Sequence, residues 1–450
     1  MRIFGFNLGR SVRRPSRLTL GLLVLLVVVS CAGKDNTPGP ISVTRDTVLP
    51  APDLPRDLWT LDEEFADINR KVPGFAGYTV NSKGVTEVAL VNTNDLEAAT
   101  RVLIGTFGTS GFNARQTIEA KPVSYEFNQL AVWREQALRA LNLDGVAEID
   151  INEAENKVVI GFLREAGLRA ARAKQASRGF GFIPPDALQL EVAGDVTLDV
   201  GFPTESTFKA MNDGRNIHDP VVPRVGGLAL RVPYGTGALC TLSFNGNLIV
   251  NGVSQRGFVT NSHCSDNMFD PDVLDNVYRQ PYDGVLIGRE ILDPEPFRYG
   301  DCTYTALNPK YSCRRRDATF IKYLSTVTSR RQIAEANSVF DITKLSGVRR
   351  VEKTFIGKPA FKSGAKTGRT IGSVVATCVG RRTSEPNTWF LCQDKADYGR
   401  AGGDSGSPVY NESPSILLGI HWGADENGVA FFSPFINIAR DLGVSLAILE

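Results

Sequence analysis

From about Val225 onward the chain is written in short β-rich stretches separated by glycine and proline turns, and only Phe435 to Leu442 looks helical. That is the spacing an all-β barrel requires. The preceding half has a different texture. Thr60-Leu61-Asp62-Glu63 is a capping-box pattern that opens a short helix ending near Pro73. Phe75 to Val80 and Thr86 to Val91 read as strands joined through Asn81-Ser82-Lys83-Gly84. Leu130, Trp133, Ala137, Leu138 and Leu141 recur at helical spacing and predict a helix over Phe127 to Asn142. Gly145 to Ile151 and Lys157 to Phe162 follow as strands, and Arg164 to Gln175 as a further helix. At 450 residues the chain has room for two folded units and a leader. The expectation is a small α+β domain followed by a β-barrel domain.

Three motifs in the β-rich half carry chemistry. Ala401-Gly402-Gly403-Asp404-Ser405-Gly406-Ser407-Pro408-Val409 sets a serine on a glycine-walled turn, where backbone N–H groups can approach a reacting carbonyl. Gly257-Phe258-Val259-Thr260-Asn261-Ser262-His263-Cys264 ends an apolar stretch on a His beside a Cys, and Arg316-Asp317-Ala318-Thr319-Phe320-Ile321 opens another on an Asp. Serine needs a base to become a nucleophile, and imidazole exchanges its proton near neutral pH. The chain has only three histidines. His218, in a Pro- and Asp-containing stretch, reads as an ordinary surface residue, His421 belongs to a run taken up below, and His263 is the natural choice of base.

The order His, Asp, Ser is that of the chymotrypsin type of triad and differs from the α/β-hydrolase and subtilisin orders. The region 225–450 resembles the trypsin-like serine peptidases and, among them, bacterial secreted enzymes such as the streptogrisins. Val259-Thr260-Asn261-Ser262-His263-Cys264 stands where that family has Thr-Ala-Gly-His-Cys, and Gly403-Asp404-Ser405-Gly406 where it has its nucleophile motif. Asn261 replaces a small residue, and Ser407 replaces a more usual Gly. The resemblance implies two six-stranded barrels, a His263–Asp317–Ser405 triad, and an oxyanion hole formed by the N–H groups of Gly403 and Ser405. Asp317 would hold the imidazole in its productive tautomer. No metal or organic cofactor is expected, and protein or peptide substrates are the partners.

Specificity is read from Leu418-Gly419-Ile420-His421-Trp422-Gly423, at the place of the family's substrate-binding edge strand. His421 before the Trp resembles the glutamyl endopeptidases, whose pocket His meets an acidic substrate side chain. By family position Arg400 sits at the pocket base, with Gly399, Gly423 and Gly428 leaving its walls open. A His and an Arg together favour a carboxylate, so the resemblance implies cleavage after Glu and, less, Asp. The other readings are a hydrophobic pocket, or an inactive peptidase-fold lipoprotein that only binds.

Arg2, Arg10, Arg13, Arg14 and Arg17 precede the apolar run Leu18 to Val29 and then Ser30-Cys31-Ala32-Gly33, which is the pattern of an export signal. Val28-Val29-Ser30-Cys31 also resembles a bacterial lipobox, making Cys31 the expected lipid carrier. Residues 1–31 are thus a signal peptide, 32–56 a proline-rich tether, 57–200 the α+β unit, 201–224 a processing linker and 225–450 the peptidase. The unit's strand–turn–strand–helix pattern resembles pro-regions of the bacterial peptidases, and Arg224-Val225-Gly226-Gly227 resembles a mature start. The precursor cut is therefore expected between Val200 and Val225. A freed N-terminus or an Arg would then pair with Asp404. Apart from Cys31, six cysteines remain of seven, an even set in an exported chain. Six allow 15 pairings. Sequence proximity and the family resemblance imply Cys240–Cys264, Cys302–Cys313 and Cys378–Cys392. A formal net charge of +1, from 50 basic and 49 acidic residues, provides no field to hold nucleic acid. The expectation is an exported monomer at the cell envelope, touching the membrane only through its lipid.

Overall fold

The computed structural model describes residues 52–112, 117–141, 145–177, 179–180, 183–201, 216–233, 238–265, 276–280, 284–298, 302–338, 341–383, 387–411 and 416–446. The signal peptide with Cys31, the tether up to residue 51 and linker residues 202–215 lie outside these.

The capping box forms as its residues require. The Glu63 N–H donates to Thr60 Oγ1 at 3.3 Å and the Thr60 N–H to Glu63 Oε2 at 2.6 Å, opening helix Leu61–Lys71. Strands Phe75–Val80 and Thr86–Leu90 pair antiparallel, and Ile118–Pro122 adds a third, parallel strand. Helix Phe127–Ala140 lies where the Leu130-to-Leu141 spacing predicts it, and Glu165–Ala176 follows strands Val146–Asn152 and Lys157–Phe162. One helix, Leu96–Gly111, is not legible in the apolar spacing. Three glycines and three threonines interrupt it, and Gly108 has a non-helical φ of +71°; burial of Ala99 and Leu103 in the α+β core holds it instead.

The β-rich half is built around two sheets. Eight strands make the first, in the order Ala238–Thr241, Ala229–Val232, Val277–Gln280, Val285–Leu292, Thr319–Tyr323, Val253–Thr260, Phe244–Val250, Val444–Leu446. Twelve make the second. These counts differ from two six-stranded barrels, and both sheets take in strands from outside the motif-bearing segments. The C-terminal strand Val444–Leu446 extends the first through Phe244–Val250. Val146–Asn152, Lys157–Phe162 and Leu188–Val192 extend the second, through Gly380↔Ile149 and Arg381↔Glu148.

The α+β segment therefore does not stand apart, and the chain from Thr44 onward groups as one compact unit. The buried core that holds Phe65, Phe75 and Phe127 continues into Tyr304, Tyr311 and Trp389 of the β-rich half. Tyr304 stacks on Trp389 with centroids 4.1 Å apart. Glu148 sits between Arg381 at 3.0 Å and Lys395 at 3.0 Å. Burial works to raise the Glu148 carboxyl, but these two cations hold it below its ordinary value. Helix Phe435–Leu442 ends on Gly443 at φ +65°, the left-handed C-cap that glycine adopts without steric cost.

Candidate active site

Sheet register brings the three motifs together. Strand Val253–Thr260 pairs antiparallel with Thr319–Tyr323, setting Thr260 opposite Thr319. His263, three residues past one strand end, thereby meets Asp317, two residues before the other. The short turn Ser262–Cys264 is tied to strand Ala238–Thr241 by the Cys240–Cys264 disulfide. Cys302–Cys313 and Cys378–Cys392 are also joined. Asn261, the departure from the family's small residue, donates from Nδ2 to the Asp317 carbonyl at 2.6 Å, tying the two loops together.

Asp317 is fully buried and accepts from the His263 N–H at 3.1 Å through Oδ1, while its Oδ2 lies against His263 Nδ1. Burial alone would raise its carboxyl, but His263 and then Arg314 hold it below the ordinary value, so it stays ionised. On the other side of the ring, His263 Nε2 is 2.7 Å from Ser405 Oγ. The serine turn is fixed by the Gly406 N–H donating to the His421 carbonyl at 3.0 Å and the Thr241 N–H donating to that of Ser405 at 2.7 Å. Gly403 stands at φ +109°, where a Cβ would also meet Leu239 Cδ2 at 2.8 Å, so only glycine fits.

In the uncut chain Asp404 is held by a lysine of the β-rich half. Lys362 Nζ donates to its Oδ2 at 2.9 Å with both side chains fully buried, and Thr367 Oγ1 adds a bond of 2.7 Å. Lys362 lies on strand Pro359–Gly364, which turns back as a hairpin into Gly368–Arg382. His218 is likewise not a surface residue: it is buried, with Nε2 2.8 Å from the Ala365 carbonyl, because its segment tucks under the same hairpin.

The pocket residues converge on a side chain that sequence reasoning missed. Asp199, 2 % exposed, places Oδ2 at 2.8 Å from His421 Nε2 and Oδ1 at 2.8 Å from Arg400 Nη1. Tyr398 Oη lies 3.2 Å from His421 Nδ1 and orients the ring from behind. Burial works to raise the Asp199 carboxyl, and the contacts with His421 and Arg400 hold it below its ordinary value. Trp422 contributes its carbonyl, which accepts from the Asp199 N–H at 3.3 Å, while its ring packs between Phe390 and Phe431. Gly423 pairs with Leu198, and a Cβ there would come within 2.5 Å of the Thr197 carbonyl. Gly399 accepts from Thr370 Oγ1 at 2.7 Å and has room for a Cβ. Gly428 is no pocket wall: it closes the hairpin turn after strand Ile416–Asp425, its N–H donating to the Asp425 carbonyl at 2.9 Å. Its φ of +84° is what that turn needs. The signal for Asp199 was faint, an alternating Val196-Thr197-Leu198-Asp199 at the end of the α+β unit.

Among the described residues no helix is long and apolar enough to cross a membrane, and no group of three or more His, Cys, Asp or Glu side chains is placed to hold a metal ion. No family model matches the chain, and no curated protein matches it. Solved structures do. Half of the chain is similar to Thermobifida fusca protease A (19% identity, 97% of that chain, TM-score 0.36) and to Nocardiopsis protease (18%, 98%, 0.36). It is also similar, over 50% of its length, to a glutamic-acid-specific serine protease described as using a histidine triad in substrate binding (20% identity, 100% of that chain, TM-score 0.36). At these TM-scores the likeness carries no argument, and the functional reading rests on the geometry.

Proposed function

We propose that this chain is a serine endopeptidase of the trypsin-like kind, acting through an acyl-enzyme and favouring an acidic residue before the scissile bond. The observation that carries the reading is the hydrogen-bonded line from Asp317 through His263 to Ser405, with Nε2 2.7 Å from Oγ, beside the N–H groups of Gly403 and Ser405. Ser405 Oγ attacks the substrate carbonyl and passes its proton to His263 Nε2. Ionised Asp317 holds Nδ1–H in place and stabilises the imidazolium. The two N–H groups receive the developing oxyanion, each contributing about 3–4 kcal/mol in sites of this kind. His263 then protonates the departing amine, and water, activated by the same ring, hydrolyses the ester.

Acidic preference is supported by Asp199, whose carboxylate lies between His421 and Arg400. A Lys or Arg side chain there would face a guanidinium, and an apolar one would leave the buried His421 and the partly exposed Arg400 without that acceptor. The inactive-scaffold reading has no such feature in its favour. The α+β unit is read as a pro-region, Cys31 as the lipid carrier and the mature enzyme as an exported monomer. Incubating purified protein with a peptide library and sequencing the cleavage sites tests activity and pocket together. Cuts after Glu and Asp are the expected result, with a fluorophosphonate labelling Ser405. Cuts after Phe or Leu would replace the acidic pocket, and absence of both cutting and labelling would overturn the peptidase reading.

A further inference from the structure

Resting on that reading, we propose that the peptide bond between Asp199 and Val200 is cleaved by the chain's own Ser405. The bond is held as a substrate on both of its sides. On the amino side, strand Val196–Leu198 pairs antiparallel with strand Ile416–Asp425 (Gly423↔Leu198, Ala424↔Thr197, Asp425↔Val196), and the Asp199 N–H donates to the Trp422 carbonyl at 3.3 Å. On the other side the Gly201 N–H donates to the Leu239 carbonyl at 3.1 Å, and the Leu239 N–H to that of Gly201 at 2.7 Å. Between these anchors the Asp199 carbonyl oxygen accepts from the Gly403 N–H at 2.5 Å and the Ser405 N–H at 3.3 Å. That is where a scissile carbonyl must sit for its charge to be stabilised as the serine adds.

The fit is steric as well as polar. A Cβ on Gly201 would lie 2.7 Å from the Gly402 carbonyl oxygen, and one on Gly402 2.9 Å from that of Val200. Substrate and turn meet glycine against glycine. The Asp199 side chain fills the pocket between His421 and Arg400, so the sequence at this bond matches the acidic preference argued above. The bond expected from the sequence, Arg224–Val225, lies elsewhere. Arg224–Gly226 is a buried strand paired with Ser329–Ser338, and its Arg224 N–H donates to Thr328, so a protease could reach it only by unpairing it.

The step is a hydrolysis. Ser405 Oγ bonds to the Asp199 carbonyl carbon and gives its proton to His263; the carbon–nitrogen bond breaks as His263 returns a proton to the Val200 nitrogen. One water then cleaves the ester, leaving an Asp199 carboxylate and a free Val200 amine. Because the segment is seated within its own chain, cleavage is first order and independent of protein concentration. The earlier segment, ending on Asp199, still fits the site and blocks it until it leaves.

The test uses the full chain, wild type and Ser405→Ala, followed by intact mass and N-terminal sequencing, with a Glu or Asp peptide as an external substrate. Expected are a wild-type fragment beginning at Val200, at a rate unchanged by tenfold dilution, and no such fragment in Ser405→Ala. Asp199→Glu is expected to keep the cut. Asp199→Leu, which removes the hydrogen bonds to both His421 and Arg400, should slow it at least about tenfold. Wild type that cleaves the external acidic peptide but begins at Val225, or keeps residues 199 and 200 joined, overturns this inference and leaves the peptidase reading standing. A Val200 start that persists in Ser405→Ala overturns self-cleavage. Wild type inert towards both its own bond and the external peptide overturns the two together.

Discussion

Replacing Lys362 with Met tests how the serine turn is supported. Lys362 Nζ and Asp404 Oδ2 are 2.9 Å apart with no solvent on either side chain, and Nζ also donates to Thr367 Oγ1 at 2.6 Å. Removing one partner of a buried ion pair costs about 3–5 kcal/mol, because the other charge stays buried without compensation. Here Asp404 keeps the Thr367 hydroxyl at 2.7 Å and the N–H groups of Ala401, Lys366 and Thr367 at 2.9, 2.9 and 3.1 Å. The loss should therefore fall at the lower end, about 3 kcal/mol. Urea denaturation in a Ser405→Ala background, which stops self-digestion, reads it directly. In a double-mutant cycle, Lys362→Met with Asp404→Asn should recover part of that loss, since an amide needs no counter-charge. A single-variant loss below about 1 kcal/mol, or a double variant whose loss is the plain sum of the two singles, would refute the argument that the pair is coupled.

Ser405→Ala and His263→Ala should each lower kcat on peptide substrates by about a million-fold, and the double variant no further, because the triad acts as a unit; retention of turnover in Ser405→Ala, measured with a chromogenic peptide, would end the assignment. His421→Ser should cost about 10- to 100-fold in kcat/KM for Glu substrates and little for Phe substrates, one charge-assisted hydrogen bond being at stake; an unchanged Glu-to-Phe ratio would remove His421 from the pocket. The junction between the α+β segment and the second sheet should weaken as pH rises. Burial pushes the Asp394 carboxyl up to about 7, and those of Asp150 and Glu153 well above their ordinary values. A carboxyl raised on folding gives stability that is fully present below about pH 4 and lost as pH climbs through about 7. For Asp394 alone that is at most about 4 kcal/mol. The melting temperature of Ser405→Ala should fall between pH 5 and 8, and Asp394→Asn should flatten the slope; an identical slope in the two proteins would contradict it.

What the linear sequence determines here is what depends on neighbours along the chain. The capping box of Thr60 and Glu63, the helical spacing from Leu130 to Leu141, and the glycines around Ser405 each act within a few residues, so each can be read without knowing the fold. Local pairings such as Cys302 with Cys313 share that property, being 11 residues apart. The candidate triad residues could be named because each sits in a short motif, but their meeting depends on sheet register. Thr260 opposite Thr319 is what carries His263 to Asp317. Tertiary structure alone decided the rest. Lys362 finds Asp404 across 42 residues, His421 and Arg400 find Asp199 across 222 and 201, and strand Val146–Asn152 finds Gly380 and Arg381 in the other half of the chain. Nothing near Asp199 in sequence marks it as the occupant of a pocket. Its place follows from backbone hydrogen bonding to strand Ile416–Asp425, more than two hundred residues away, a pairing made by backbone groups that every extended segment carries. Asp199 is singled out only because folding brings the His421 and Arg400 side chains and a pair of converging N–H groups to that one residue.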